Sequence, residues 1–510
     1  MDDAGLAEIA GVVGAGGAAI AILAGRRWTL LAGFALLAAA EALLALSMAG
    51  DVSTDRLVSA TTLGAGFAGL LLVAAAAAVF VRLPWLTIPA LVVAAPFRLP
   101  LDFDRDYRFF FAFAEGGRLG RLIPLYAVVT AASAAFLYRV LRRNHVDSPA
   151  RVVAVPVAAF LAFASVSLLW TRDIDAGANL LAFFLLPFAA MVAIVVRSEL
   201  ADWLPKALAV IAVGLASVFA LVGLWQEATK DLFFYGPQLE VANAYSPFFR
   251  VTSLFTDPSL YGRHVVLGFA VLLVLLWAGR VNVFLAAALM TLLFAGLYFS
   301  YSQSSWAALF VVAAGVTVVA GDRNARRAVL AATAVALVVA AVFVGYQARN
   351  KSLSELTSGR WQRAELTLDV VREQPLIGVG LGAQPKVSRE IGAGRDAREA
   401  RFVSHTTPLT VAAELGIVGF ALYALLLSGA VRMVVALRRT RPALALGIGV
   451  VLLALFTHAL AYSGFFEDPI TWLALGVGAA YLAVPVAARQ TEEAPVRADE
   501  VKAEPVPTAR

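Results

Sequence analysis

The sequence GYQARNKSLSELTSGRWQRAELTLDVVREQPLIGVGLGAQPK occupies residues 345–386 and opens the longest stretch of the chain that cannot lie in a lipid bilayer. The stretch runs on to Thr407 through an arginine-rich segment that ends in Ser404, His405 and Thr406. Long apolar runs lie on both sides of it. From 349 to 401 it holds ten Lys or Arg residues against seven Asp or Glu residues. A basic loop beside a membrane is suited to an anionic, membrane-bound substrate.

The composition indicates a polytopic membrane protein. Of 510 residues, 61% are apolar and 15% are charged, whereas ordinary soluble domains are roughly 25% charged. A hydrocarbon core about 30 Å thick needs about 20 apolar residues per helix. The predicted fold is an all-α bundle of about 14–15 transmembrane helices with one large extracytoplasmic loop. The apolar runs lie at 5–25, 28–49, 58–81, 85–97, 122–141, 151–170, 176–197, 203–225, 259–279, 281–300, 304–320, 327–346, 407–431, 443–462 and 469–488.

These runs divide the chain into five parts. Residues 1–150 form N-terminal transmembrane helices, and 151–346 form core transmembrane helices with an external loop at 226–258. The large external loop spans 347–406, C-terminal transmembrane helices span 407–488, and 489–510 is predicted to be a disordered cytoplasmic tail because it is charged and Pro-rich. The run at 85–97 is short and holds Pro89 and Pro96, so it is either re-entrant or spanning.

Arginines in short connections predict the orientation of the chain. They fall in alternate loops if the run at 85–97 crosses, and the positive-inside rule makes those loops cytoplasmic. The N-terminus is then outside, the first helix is a retained anchor, and the C-terminus is inside. The sizeable hydrophilic segments at 98–121, 226–258 and 347–406 are external. No cytoplasmic segment has room for a nucleotide-binding domain, so an activated donor attached to a lipid is favoured over ATP or a sugar nucleotide. Cysteine is absent, which excludes disulfides and thiolate chemistry.

An amphipathic helix is predicted from Ser358 to Glu373 within the large loop. Its apolar side chains recur at helical spacing, Thr357 or Ser358 caps its start, and Pro375 stops it. Such a helix would hold Arg360 at headgroup height; the alternative is a solvated helix whose arginines pair with acidic neighbours. The glycines at 378, 380 and 382 have no βαβ context for a dinucleotide site and indicate close backbone packing.

Three further side chains are candidates for chemistry. His405 directly precedes a membrane helix, whose N-terminus favours neutral imidazole, the form that a general base needs; the alternative is a histidine that only hydrogen-bonds at the interface. Arg250 lies just outside the membrane before the Asp257-Pro258 helix start. Arg263 lies just inside it, and an intramembrane arginine needs a partner or a wet cavity. A structural ion pair is the alternative for Arg263. No histidine pair has metal-ligand spacing.

Taken in order, these residues resemble the O-antigen ligase/polymerase family. The resemblance rests on Arg250 before the Asp257-Pro258 start, on Ser358-Gly359-Arg360-Trp361 leading to Pro375-Leu376-Ile377-Gly378-Val379-Gly380, and on His405 followed by Ala413-Glu414-Leu415-Gly416. It covers roughly residues 160–465. The chain departs from the family pattern at Ser302-Gln303-Ser304, where an arginine is frequent, and at Thr406, where asparagine is common.

The resemblance implies a GT-C-like, inverting membrane glycosyltransferase of the bacterial inner (cytoplasmic) membrane, independent of metal, cofactor, nucleotide and nucleic acid. It moves a glycan from undecaprenyl pyrophosphate to a lipid or glycan acceptor on the extracytoplasmic side, surrounded by membrane lipids. Arg250, Arg360 and Arg263 would bind the pyrophosphate, and His405 would accept the proton of the attacking hydroxyl. Ligase-type transfer ranks ahead of a polysaccharide polymerase of the same family.

Two other classes remain as alternatives. Asp102, Asp104 and Asp106 offer paired carboxylates like those that hold a metal in other GT-C enzymes, although Arg98, Arg105 and Arg108 surround them. A polysaccharide or lipid transporter or flippase would place charges at the bilayer midplane. In this chain most of the charges of interest gather at one surface.

Overall fold

The protein is an all-α polytopic membrane protein, as predicted. The computed structural model describes residues 3–48, 60–97, 102–103, 109–110, 122–143, 146–234, 237–347, 349, 357, 359–392, 404–462 and 464–483. A two-residue antiparallel ladder between β1 (Asp102–Phe103) and β2 (Phe109–Phe110) accompanies the helices. The predicted tail at 489–510 and the carboxylates of Asp104 and Asp106 lie outside the described residues.

The first half of the chain is a series of apolar helices, with its longest connection between Ala94 and Ile123. Asp173 caps one of them by accepting a hydrogen bond from the Ala176 N–H, and that helix contains a π-helical turn at Leu181–Leu185. The helices are α1 (Asp3–Leu23), α2 (Arg27–Met48), α3 (Ala60–Arg82), α4 (Thr87–Ala94), α5 (Ile123–Arg142), α6 (Arg151–Val166), α7 (Ile174–Val195), α8 (Leu204–Thr229) and α9 (Pro237–Tyr245).

The second half begins at the proline-started helix that follows Arg250. The side chains of Asp257, Asn282 and Ser302 each accept backbone N–H hydrogen bonds at a helix start, which satisfies donors that have no partner within the helix. The helices are α10 (Pro258–Trp277), α11 (Val283–Ser300), α12 (Gln303–Ala320), α13 (Arg323–Gln347), α14 (Arg360–Glu373), α15 (Gln384–Ile391), α16 (Thr407–Thr440), α17 (Pro442–Ala459) and α18 (Pro469–Ala483).

Each predicted apolar run contains a helix among the described residues, and the structure refines the number of spans. Within the described residues, 11 helices are long and apolar enough to cross a membrane, or up to 12 if the bent pair of α3 and α4 is one span. The predicted number of 14–15 transmembrane helices is larger, because it counts α3 and α4 separately and includes α13 and α18. Helix α18 has 15 residues, which is shorter than a bilayer core requires.

The run at 85–97 turns back along helix α8. The chain bends by 116° between Gly66–Arg82 and Pro84–Ala94. Trp85 packs edge-on against Trp203, and Phe97 packs edge-on against Phe219, with ring centroids 5.2 and 6.1 Å apart. Trp203 and Phe219 lie at levels about 24 Å apart along α8, at 1.5 Å per residue. The short segment therefore runs beside α8, either as the second part of a broken span or as a re-entrant segment.

The glycine-rich loop at 376–382 is wedged into a break in α16. Gly416, in the third turn of that helix, has φ +63°, and the break lets the Glu414 carbonyl accept a hydrogen bond from the Gly380 N–H at 2.8 Å. Ile417 and Val418 donate in return to the carbonyls of Pro375 and Leu376. On the other side of the loop, the Thr171 hydroxyl donates to the Leu381 carbonyl at 2.9 Å. The large loop is thus fixed to the membrane helices by its own backbone.

Candidate functional site

The chain segment that begins at Arg250 is held by the side-chain amides of Asn243 and Gln226, which lie on neighbouring helices. The Asn243 side chain accepts a hydrogen bond from the Arg250 N–H at 3.0 Å and donates to the Arg250 carbonyl at 3.1 Å. Gln226 is fully buried, and its side-chain oxygen accepts hydrogen bonds from the N–H groups of Thr252 and Ser253. The Arg250 Nε donates to the Ser300 carbonyl at 3.3 Å. These bonds fix the segment before α10 and leave the rest of the half-buried guanidinium to face the large loop.

Arg360 is the first residue of helix α14. The Thr357 hydroxyl accepts a hydrogen bond from the Trp361 N–H at 3.0 Å, so the predicted cap is present. The face of α14 that packs against the protein holds Leu366, Thr367 and Val370. Trp361 on the predicted apolar face stays 48% exposed, which suits a helix lying at a membrane surface.

His405 lies beside the start of α16 and stacks against a tyrosine. Its ring is nearly parallel to that of Tyr462, with centroids 5.8 Å apart. The neighbouring Ser404 N–H donates to the buried Gln384 side chain at 3.0 Å, which ties the histidine to helix α15. The His405 Nδ1 is buried and has no hydrogen-bond partner among the described residues.

The charges around His405 keep its ring neutral. Burial, together with the positive charges of Arg363 and Arg360, lowers the pKa of the imidazole to about 3. The sequence predicted a neutral imidazole from the helix N-terminus. In the structure, the ring is neutral because burial and two guanidinium groups both disfavour its protonated form.

Three arginines gather at this point. Burial lowers the pKa of Arg360, and the charges of Arg363 and Arg250 lower it further. Burial also lowers the pKa of Arg250, against the opposing effect of Asp257 and Tyr462. Arginines stay protonated despite such shifts, so the cations repel one another across a half-buried space. We call Arg250, Arg360, Arg363, His405 and Tyr462 the arginine–histidine site.

Arg263 is engaged in an ion pair. Its side chain is 4% exposed, and its Nη1 lies 2.9 Å from Asp468 Oδ2, which is 2% exposed. The same Nη1 donates to the Gly464 carbonyl at 3.1 Å. Removing one partner of a buried pair is costly, so Arg263 anchors the 464–468 segment. The donor-binding role predicted for it stays a prediction.

Serines occupy the position at which the family often has an arginine. The Ser302 hydroxyl lies 3.1 and 2.9 Å from the hydroxyls of Ser304 and Ser305. The Ser304 hydroxyl lies 3.1 Å from Nε2 of His458, whose ring centroid is 5.3 Å from that of Tyr462. A buried polar network therefore supports the tyrosine on which His405 stacks.

The structure brings together Arg250, Arg360 and His405, three of the four predicted site residues, and adds Arg363 and Tyr462. Arg363 lies one helical turn after Arg360, and that spacing on a predicted helix was available as a signal. Tyr462 had no comparable signal, because it follows an apolar run distant in sequence. Across the described residues, no three His, Cys, Asp or Glu side chains are grouped closely enough to hold a metal ion.

Fold and site together define a polytopic membrane protein with a basic, histidine-containing site at one end of its helix bundle. Residues 287–424 match the family model described as O-antigen ligase. The match confirms the predicted resemblance to the O-antigen ligase family, and the matched segment contains Arg360, Arg363 and His405. The match implies a glycosyltransferase-type enzyme. No curated protein matches the chain.

Proposed function

We propose that the protein transfers a glycan from undecaprenyl pyrophosphate to an acceptor hydroxyl. The observation that carries the proposal is the grouping of Arg250, Arg360 and Arg363 around a neutral His405. A cluster of three guanidinium groups beside an imidazole attracts an anion. A pyrophosphate supplies that anion, and each guanidinium can bind its oxygens in a bidentate manner.

The reaction is a displacement at the anomeric carbon of the donor. The acceptor oxygen forms a bond to that carbon as the bond to the pyrophosphate oxygen breaks. The bonding electron pair leaves with undecaprenyl pyrophosphate, where the arginines stabilise the growing negative charge. Attack opposite the leaving group inverts the anomeric configuration. Such electrostatic stabilisation in a partly dry site is commonly the largest single contribution to catalysis.

His405 accepts the proton that the acceptor hydroxyl loses. In the free protein its pKa is too low for a strong base, because burial first, and then the charges of Arg363 and Arg360, oppose protonation. A bound pyrophosphate neutralises those two cations and therefore raises the pKa of the imidazole. Donor binding thus prepares the base, and the base acts only when the leaving group is in place.

The partners and the setting follow from the same proposal. The enzyme lies in the bacterial inner membrane with its site on the extracytoplasmic face, and it uses neither a metal ion nor a nucleotide. The acceptor of a ligase is a lipid or another separate acceptor, whereas that of a polymerase is a second lipid-linked glycan. We place ligase-type transfer first. A transporter is the second candidate class, but the half-buried arginines lie at helix ends and in the large loop, where they suit a surface reaction better than a midplane pathway.

Arginine substitutions test the donor site. In purified protein, we expect Arg250→Ala and Arg360→Ala each to lower kcat/KM for an undecaprenyl-pyrophosphate glycan by about 10²- to 10³-fold, since each removes a donor to the leaving group. Lysine at either position keeps the charge but loses the bidentate geometry, so rescue is partial. Arg389→Ala is the matched control, because Arg389 is exposed on α15. Full activity of both alanine variants would contradict the proposal.

A further inference from the structure

The glycine-rich loop belongs to an uncharged segment within the otherwise charged large loop. Residues 375–385 hold no Asp, Glu, Lys or Arg, and the charged residues Glu373 and Lys386 flank them. Two aliphatic side chains of this segment are exposed, Leu376 by 68% and Ile377 by 40%. The loop therefore presents an apolar surface at the outside of the protein.

This surface is continuous with the exposed side of helix α16. The Ile417 N–H donates to the Pro375 carbonyl at 2.9 Å, and the Val418 N–H donates to the Leu376 carbonyl at 3.2 Å. Ile417 and Val418 are themselves exposed, and they belong to a helix that is long and apolar enough to cross a membrane. A contiguous exposed apolar patch marks a contact with an apolar partner. On the exposed side of a membrane-spanning helix, that partner is lipid.

Arg432 indicates the depth of this contact. It is exposed on α16, and an arginine that faces lipid keeps its charge at the edge of the hydrocarbon core. Residues 416–432 span about 24 Å at 1.5 Å per residue. Because the hydrocarbon core is about 30 Å thick, a helix with Arg432 at one edge has its break at Gly416 inside the opposite edge. The loop that fills the break lies at the same depth.

The backbone of the loop is suited to surroundings without water. In hydrocarbon, each backbone N–H and C=O has to find its partner within the protein. Besides α16, the turn between α6 and α7 supplies donors, since the Trp170 indole N–H donates to the Ile377 carbonyl at 3.3 Å and the Arg172 N–H donates to the Val379 carbonyl at 3.0 Å. The loop carbonyls that accept hydrogen bonds from the protein are those of Pro375, Leu376, Ile377, Val379, Gly380 and Leu381. The N–H groups that donate to it are those of Gly378, Val379, Gly380 and Leu381.

We infer that the glycine-rich loop is immersed in the bilayer, with Leu376 and Ile377 in contact with lipid acyl chains. The sequence predicts that all of 347–406 lies outside the membrane, so the inference places the middle of that loop within the leaflet nearest the arginine–histidine site. Lipid contact then fixes the depth of α14, which carries Arg360 and ends just before the loop. The inference concerns the membrane and does not depend on glycan transfer.

Collision rates of a nitroxide spin label measure the depth of the loop. Single cysteines are introduced into the full chain, which has no cysteine of its own, and the labelled protein is placed in phosphatidylcholine vesicles. Molecular oxygen concentrates in hydrocarbon and nickel–EDDA stays in water. We expect the oxygen-to-nickel ratio at Leu376→Cys to match that at Phe420→Cys, which is exposed on α16, and to exceed that at Arg389→Cys, exposed on α15, by about tenfold.

Two outcomes would overturn the inference. A label at Leu376→Cys that nickel–EDDA reaches as readily as the label at Arg389→Cys would place the loop in water. A label that neither reagent reaches would show that protein, such as a second copy of the chain, covers the patch. Ile377→Cys is measured beside Leu376→Cys, so that the loop is tested even where one variant fails to fold. Turnover is not part of the measurement, so failure of the proposed transfer would leave its result unchanged.

Discussion

His405 is neutral because burial and its charged neighbours make protonation unfavourable. Its protonation state should therefore be insensitive to pH near neutrality. An ordinary histidine has a pKa near 6.5, whereas that of His405 is lowered to about 3. The neutral ring is lost only as pH falls through the lowered value. Between pH 7.5 and 5.5, His405 therefore remains neutral in the free protein.

Acylation by diethyl pyrocarbonate, followed residue by residue with mass spectrometry, measures this directly because only the neutral ring reacts. We expect modification of His405 to change little between pH 7.5 and 5.5. Modification of free N-acetylhistidine in the same solution should fall by about tenfold, as an ordinary imidazole with a pKa near 6.5 does. A decline at His405 as steep as that of the free imidazole would refute the lowered pKa.

At the residue scale, the sequence predicted the candidate site residues but not the residues that surround them in the structure. Arg250, Arg360 and His405 were recognisable because each stands at a helix start in a polar segment. Tyr462 and the serine–histidine network behind it were not, because their role depends on the meeting of helix ends that are far apart in sequence. The sequence predicted that Arg263 needs a partner, and the structure identifies that partner as Asp468.

The docking of the glycine-rich loop is the element on which the site depends. Gly380 has φ +92°, and a Cβ there would lie 2.2 Å from Thr171 Cα. Gly279 also has a positive φ, +65°, but a Cβ there would meet nothing within 4 Å. The two glycines share a backbone constraint and differ in the space around them.

Alanine substitutions separate these two effects. Gly279→Ala should cost about 1–2 kcal/mol, the penalty for a left-handed residue with a side chain. Gly380→Ala should cost clearly more, because it also forces the loop away from the turn at Thr171. Thermal unfolding of the purified variants measures the difference, and equal shifts in Tm would show that the loop is not tightly docked. Gly380→Ala should also lower turnover, since the loop directly follows the helix that carries Arg360.

The elements themselves were largely predictable. The length of each apolar run predicted the transmembrane helices, because a bilayer core requires a similar length of every span. The break at Gly416 was not predicted, since apolar residues continue through it and its cause is the loop that inserts there. The packed face of α14 also differed from the predicted apolar face. In a membrane-surface helix, the apolar stripe can face lipid while another face packs against the protein.

At the scale of the whole molecule, the large loop should lie on the outer side of the membrane. The part of helix α16 that follows the break at Gly416 runs to Thr440; these 24 residues (417–440) span about 36 Å at 1.5 Å per residue, enough to place the two ends of this part on opposite sides of a bilayer. The chain contains no cysteine, so single cysteines can be introduced without altering existing thiols.

Labelling of intact cells with a membrane-impermeant maleimide tests this orientation. Arg389→Cys, exposed on α15 beside the start of α16, should react in intact cells. Arg439→Cys, exposed near the end of α16, should react only after the membrane is opened. The reverse pattern would place the arginine–histidine site in the cytoplasm and remove the lipid-linked donor from the proposal.

The most direct measurement of the central claim is turnover by wild-type protein and His405→Ala in lipid, with an undecaprenyl-pyrophosphate glycan and EDTA. We expect the wild-type protein to release undecaprenyl pyrophosphate and transfer the glycan. The His405→Ala variant should be slower by about 10²- to 10⁴-fold, the usual contribution of a general base, while His145→Ala keeps full activity. Growth of the lipid-linked glycan would indicate a polymerase, and transfer only to an added acceptor would indicate a ligase. Equal rates for wild type and His405→Ala would contradict the account.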